Sequence, residues 1–249
     1  MKITYKDKIV AFIDVLGFSE LVLSKTNDRL NTFFDIITSD FKDRTVKNKL
    51  KYVIISDSIV VSIDNTKENL ITICRILNYT QTQLFENGIL LRGGISFGDF
   101  YMNKTKNIVV GPAMIKAYHL EQKAIYPRII LDRNFIPKYF NGTEDLRETK
   151  PLTLRYTPPS PYLTDYVYLN YMSGLNYYGD KNSHRKIFEF FKQSYYKNEF
   201  INKLEWIKKH LITEFQHEIE YFEEEERLSQ RDQECYDNAK WGLSELNKL

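Results

Sequence analysis

Ile9-Val-Ala-Phe-Ile-Asp-Val-Leu-Gly-Phe-Ser19 is the stretch on which the reading of this chain turns. The apolar residues Ile9 to Ile13 run without interruption into Asp14, the pattern of a buried strand that delivers a carboxylate at its C-terminal tip. Gly17 permits a turn, and beyond it the apolar residues change to helical spacing: Phe18, Leu21, Val22, Leu30, Phe33, Phe34 and Ile37. A strand, a turn and a helix thus open the chain, with Asp14 at the joint.

The next segment, Lys51-Tyr-Val-Ile-Ile-Ser-Asp-Ser-Ile-Val-Val-Ser-Ile63, has two β-rich arms around Ser56-Asp57-Ser58. It predicts a tight hairpin with a second carboxylate at its tip. Leu70, Ile73, Cys74, Leu77, Thr80 and Leu84 recur at helical spacing as far as Asn87-Gly88. Ile89 to Phe100 reads as a long strand. Its Gly93, Gly94 and Gly98 fit bulges or close backbone approach better than a phosphate loop. Val109 to Gly111 leads into a helix carrying Ala113, Met114, Ala117, Tyr118, Leu120 and Ala124, which Pro127 breaks before the buried strand Arg128 to Leu131.

Residues 138 to 162, with Pro151, Pro158, Pro159 and Pro161, are expected to form a surface excursion. Tyr166 to Tyr171 alternates and closes the sheet. Past Gly179 the pattern is helical, with a stripe of Ile187, Phe191, Phe200, Leu204, Ile207, Leu211 and Phe215, and Glu223 to Glu226 as a solvated face. The order β-α-β-β-α-β matches a ferredoxin-like α+β unit followed by a helical extension. Fold alone names no function.

At 249 residues, 43% hydrophobic and 27% charged, the composition is that of an ordinary globular chain. A net charge of +2, with no basic run, disfavours nucleic acid as a partner. Cys74 and Cys235 form no CxxC, and Cys74 falls in an apolar helical pattern, so a buried free thiol is expected. The N-terminal apolar run is short and broken by Asp14, and no apolar run reaches eighteen residues. No signal peptide and no membrane segment are therefore expected, and the expected location is the cytoplasm. The 18 Tyr, 16 Phe and 2 Trp fit large-ring packing or stacking on flat ligands, which composition does not separate.

In a ferredoxin-like sheet the first strand and the hairpin are neighbours, so Asp14 and Asp57 can converge. Two hard oxygen donors without nearby His or Cys suit Mg²⁺ or Mn²⁺ rather than zinc. Such ions fill their remaining positions with substrate phosphates, and Leu16-Gly17-Phe18-Ser19 opens a helix whose N–H groups could receive a polyphosphate. This combination predicts a nucleoside triphosphate site with two-metal chemistry. The competing reading makes Asp14 a helix cap and Asp57 a turn residue.

Phe12-Ile-Asp-Val-Leu-Gly-Phe-Ser19 resembles the first metal-binding motif of class III nucleotide cyclases. Ile55-Ser-Asp-Ser58 resembles their second, with serine in place of the customary glycine, and Leu91-Arg-Gly-Gly-Ile-Ser-Phe-Gly98 resembles their Arg-x-Gly-Ile-x-x-Gly strand. Gly111-Pro-Ala-Met-Ile-Lys-Ala-Tyr-His-Leu-Glu121 is similar to their later helix ending in Arg-Leu-Glu. The likeness covers about residues 8 to 171. Where purine cyclases carry Asn and Arg on that helix, this chain has Ile115 and His119; the base-selecting Asp reads Pro112 and its Lys partner falls at about Val53. The pattern from Gly111 to Ile129, with Leu-Arg-Gly-Gly-Ile, is similar to the pyrimidine cyclases of the Pycsar antiphage system.

This resemblance implies a catalytic domain over residues 1–175 and a helical extension over 176–249 packed on the core or a dimer mate. It implies conversion of UTP or CTP to cyclic UMP or cyclic CMP, with cyclic UMP favoured, in a homodimer with composite active sites. The product would reach a separate cyclic-nucleotide-responsive effector. Asp14 and Asp57, with the Val15 carbonyl, would hold two divalent ions, Mn²⁺ or Mg²⁺. Arg92 would meet phosphate or transition-state charge, Arg128 could replace the missing helix arginine, and Tyr52 could contact the base. Packing and ion-pair roles compete for each of these three, and His119 reads as a surface residue. A purine cyclase and a catalytically silent nucleotide-binding module stay open as alternatives.

Overall fold

The computed structural model describes residues 3–24, 26–48, 50–142, 154–156, 166–172, 175, 181–195, 201–225 and 227–249. The chain divides into two compact units, one of Met1–Leu84 with Ile89–Asn170, the other of Phe85–Gly88 with Tyr171–Leu249.

The first unit is built on β1 (Lys6–Leu16), α1 (Phe18–Leu23), α2 (Asp28–Asn48), β2 (Lys51–Ile55), β3 (Ser58–Asp64), α3 (Lys67–Glu86) and β4 (Leu90–Asn103). There follow β5 (Ile108–Val110), α4 (Pro112–Ala124), β6 (Ile129–Leu131), α5 (Phe135–Tyr139), β7 (Leu154–Tyr156) and β8 (Val167–Leu169). The sheet order is β2-β3-β1-β4-β6-β8-β7, with β5 paired to β4 outside that path. Its first four strands, β2-β3-β1-β4, are antiparallel neighbours in the ferredoxin-like arrangement, and β6 then adds parallel to β4. The α+β, ferredoxin-like expectation therefore holds.

Alternation along the strands sorts the two faces of the sheet. Ile9, Ala11, Ile13 and Val15 of β1 join Ile59, Val61 and Ile63 of β3 in a core with Phe33, Ile37 and Phe41 of α2 and Ile73, Cys74 and Leu77 of α3. Val10 and Val60 face the other way, with Ala113 and Ala117 of α4 and with Phe100. Cys74 is fully buried as a free thiol, and burial pushes its pKa up.

Three local features depart from the sequence pattern. The helical run expected from Phe18 to Ile37 is two helices. Ser24 is extended at the end of α1 and its hydroxyl donates to the Leu21 carbonyl at 2.8 Å, so the chain leaves the helix although the apolar spacing continues. The polar stretch 138–162 contributes a strand, because Leu154–Tyr156 pairs antiparallel with β8 at the sheet edge. Its Pro151, Pro158, Pro159 and Pro161 lie outside the described residues, as does Gly179. A five-residue helix, α5, follows β6 without a strong periodic signal.

The second unit contains α6 (Lys181–Tyr195), α7 (Ile201–Glu223) and α8 (Gln230–Leu246). Ile187, Phe191, Leu204, Ile207, Leu211 and Phe215 of the expected stripe are buried; Phe200 lies outside the described residues. Glu223 to Glu225 are exposed and Glu226 is outside the description. Ser229 and Asp232 form a reciprocal capping box at the start of α8.

Candidate active site

β1 lies between β3 and β4, and its register places Asp14 opposite Ser58 of β3 on one side and Arg92 of β4 on the other. Asp57 is the turn residue next to Ser58. The Val15 amide donates to the Asp57 carbonyl at 3.1 Å, which ties the tip of β1 to the β2–β3 turn. In an antiparallel strand the N–H and C=O of one residue point to the same side, so the Val15 carbonyl also faces that turn. Ile55 pairs with Ser58, leaving Ser56-Asp57 as a two-residue loop. Ser56 sits at φ 57°, a left-handed conformation that favours glycine.

The Arg92 guanidinium lies between two carboxylates. Its Nη2 donates to Asp14 Oδ2 at 3.1 Å, and its Nε lies 2.5 Å from Glu121 Oε1, an ion pair rather than a well-aligned hydrogen bond. The Asp14 side chain is 20% exposed and that of Glu121 only 4%. Burial raises the Glu121 carboxyl pKa, the charge of Arg92 opposes that rise, and the charges of Asp14 and Asp57 add to it. Four groups from β1, the β2–β3 turn, β4 and α4 thus share one electrostatic environment.

Glu121 is the functional candidate that sequence reasoning missed. The buried residues of α4 are Ala113, Ala117, Glu121 and Ala124, so one carboxylate stands in a row of alanines. That charge in a small-residue stripe was the available signal. Gly94 explains how α4 comes so close: a Cβ there would stand 2.3 Å from the Ala117 carbonyl oxygen and 2.8 Å from the Glu121 amide nitrogen. Close approach, one of the roles expected for these glycines, is what the geometry displays.

The remaining expected residues are placed differently. Tyr52 pairs in register with Val61, on the face opposite Asp14 and Arg92, and packs its ring 5.2 Å from that of Phe41. Strand alternation turns it toward α2 and away from the carboxylates beside which a base contact is expected. Arg128 is buried and donates its Nε to the Ala124 carbonyl at 3.1 Å, with the rings of Tyr126, Tyr166 and Tyr168 within 5.6 Å of its guanidinium carbon. There it stabilises the C-terminal end of α4. That position departs from the expected phosphate contact, because the guanidinium is directed at a helix carbonyl.

Leu16 pairs with Leu90 and is still in the sheet. Gly17, at φ 72°, makes the turn; Phe18 packs on Phe33; and Ser19 is exposed in a helix of six residues. Pro112 is the first residue of α4, Ile115 and His119 are exposed on it, and Val53 packs in the core beneath it.

The carboxylates of Asp14 and Asp57 and the Val15 carbonyl are hard-oxygen groups of the kind that suits Mg²⁺ or Mn²⁺, whose remaining positions substrate phosphates would fill. Among the described residues no group of three or more His, Cys, Asp or Glu is arranged to hold an ion by itself. No helix among them is long and apolar enough to cross a membrane.

No protein-family model matches the chain, and no curated protein matches it. Solved structures similar to it include the guanylyl cyclase Cya2, at 13% identity, 68% coverage of this chain and 93% of that one, with a TM-score of 0.45. The adenylyl cyclase CyaB from P. aeruginosa is similar at 14% identity, with 68% and 94% coverage and a TM-score of 0.43. An adenylate/guanylate cyclase/hydrolase from Silicibacter pomeroyi is similar at 19% identity, with 66% and 95% coverage and a TM-score of 0.46.

Proposed function

We propose that this chain is a nucleotide cyclase that converts a pyrimidine nucleoside triphosphate, UTP or CTP, to its 3′,5′-cyclic monophosphate and pyrophosphate. The observation that carries the reading is the meeting of Asp14 and Asp57 at one end of the sheet, joined through the Val15 amide and flanked by Arg92. Structural capping and turn roles alone do not require two carboxyl-bearing residues to be brought to one end of the sheet.

Asp14, Asp57 and the Val15 carbonyl would hold two Mn²⁺ or Mg²⁺ ions. Such ions, when bound, neutralise triphosphate charge and acidify the ribose 3′-hydroxyl. The contribution of the chain itself is position and charge. Arg92 places a cation beside Asp14, where negative charge builds on the α-phosphate. The amides of Glu20 and Leu21 already donate to the Gly17 carbonyl, so the Phe18 and Ser19 amides are the ones that would meet phosphate oxygens. The 3′-oxygen forms its bond to the α-phosphorus as the bond to pyrophosphate breaks, so no side-chain nucleophile is involved.

The choice of a pyrimidine is supported by Pro112, Ile115, His119 and Val53. They stand where the resembled purine cyclases carry Asp, Asn, Arg and Lys, and three of the four offer no side-chain donor for a purine edge. Ile115 and Tyr118 are 57% and 41% exposed on α4, which favours a partner subunit completing the site. A messenger role in antiphage defence, through a separate effector that binds the cyclic product, follows from the resemblance to pyrimidine cyclases.

The test is incubation of the purified protein with each of the four nucleoside triphosphates and Mn²⁺, with products read by mass spectrometry. Cyclic UMP or cyclic CMP is the expected product. Cyclic AMP or cyclic GMP alone would replace the pyrimidine reading with the purine one. Nucleotide binding without any cyclic product would identify a silent module.

A further inference from the structure

We infer that Glu121 is a positioning residue: it anchors the Arg92 guanidinium through Nε, so that Asp14 can exchange its partner for a divalent ion while Arg92 stays in place. The inference rests on the cyclase reading only for the identity of what Asp14 receives.

Arg92 is shared by one carboxylate that solvent reaches and one that it hardly reaches. A guanidinium presents a rigid fork, so two carboxylates can hold different edges of it without competing for one nitrogen. Asp14 engages Nη2 and Glu121 engages the Nε edge. If Asp14 turns to a cation, the attraction between Asp14 and Arg92 is lost and the two cations repel. An arginine held only by Asp14 would have to swing away, or would resist the ion. Glu121 supplies a second counter-charge that is buried and hardly reached by solvent.

Two features independent of that ion pair support the assignment. Gly94 admits the α4 backbone at Ala117 and Glu121 closer than any Cβ would allow, which sets the carboxylate against β4. The helix is also fixed at both ends. Gly111, at φ 149°, lies where a Cβ would be 2.4 Å from the Asp99 carbonyl oxygen, and Arg128 holds the Ala124 carbonyl at the other end. A carboxylate on such a helix has little freedom to follow Arg92 if Arg92 moves, which is the property an anchor needs.

The test has one readout that needs no metal and one that does. Nuclear magnetic resonance of the Arg92 Nε–H in the metal-free protein should show a signal slow to exchange with water, lost in Glu121→Gln and in Arg92→Lys. Mn²⁺ affinity, measured without nucleotide by electron paramagnetic resonance, should fall about ten-fold in Glu121→Gln but by no more than about two-fold when the same change is made in an Arg92→Met background. An unchanged Nε–H signal in Glu121→Gln would overturn the inference. So would an equal loss of affinity in both backgrounds, since that is what direct attraction between Glu121 and the ion would give. Absence of Mn²⁺ binding by the unaltered protein both without nucleotide and with UTP or CTP present, with the Nε–H behaving as expected, would overturn the cyclase reading and support Glu121 as the anchor of Arg92. Glu121→Asp keeps the charge and shortens the reach to Nε, so it serves if Glu121→Gln does not fold, and an unchanged Nε–H signal in it would equally overturn the inference.

Discussion

Val15 and Asp57 are joined through their backbones, the amide of one donating to the carbonyl of the other at 3.1 Å. The approach of the two carboxyl-bearing segments therefore does not depend on either carboxylate. Side-chain chemistry at this end of the sheet can be removed without undoing the geometry that presents it.

Asp57→Ala should abolish cyclic nucleotide formation while changing stability by no more than about 1 kcal/mol, since the main-chain bond from Val15 survives. Product analysis and urea unfolding on the same preparation check both halves. A fully active variant would remove the two-metal mechanism.

Ser56 occupies a left-handed conformation at φ 57° without being glycine. Ser56→Gly should relieve that cost and stabilise the fold by about 1 kcal/mol, with turnover retained. The midpoint of urea denaturation measures it, and a lowered midpoint contradicts the account of the turn.

Gly94→Ala places a methyl group against the backbone of α4, 2.3 Å from the Ala117 carbonyl oxygen. Neither backbone can yield by rotating a side chain, so a loss of about 1–3 kcal/mol is expected. Activity should fall further than stability accounts for, because the displaced helix carries Glu121. Thermal unfolding and turnover at a temperature where the variant is folded separate the two effects.

Glu121 makes stability depend on pH in a known direction. Burial raises its carboxyl pKa in the folded state, so the folded protein holds this proton more tightly than the unfolded chain does. The stabilisation is complete below the ordinary carboxylate value of 4.5 and is lost as pH rises through the raised value. Glu121→Gln has no proton to lose and should show a flatter decline as pH rises above the ordinary carboxylate range. Urea unfolding at intervals over that rise reads the slopes; identical slopes would exclude the assignment.

Much of the fold was open to reading because its signals are local. The apolar run ending at Asp14 and the two arms around Asp57 carry strand and turn chemistry in adjacent residues, and the register then follows from topology. What stayed hidden depends on facing. Tyr52 lies next to the position of interest in sequence, yet a period of two turns it toward Phe41. Arg128 stands at a strand entry like a ligand, but the end of α4 and three tyrosines take it. Glu121 closes the helix motif from Gly111, but its contact with Arg92 emerges only when the alanine row of α4 is laid on Gly94. The break after Leu23 was invisible because apolar spacing continues through it, while a serine hydroxyl ends the helix.

The central place of β1 bears on how the protein comes into being. Asp14 meets Arg92 across 78 positions of sequence, and Glu121 lies further along still. Closing so long a loop is entropically unfavourable until the hairpin, β4 and α4 can all dock together. A nascent chain that has emerged only as far as the hairpin holds both aspartates but no Arg92 and no Glu121. Under the proposed cyclase reading, competence should therefore arrive late during synthesis, after α4 has left the ribosome.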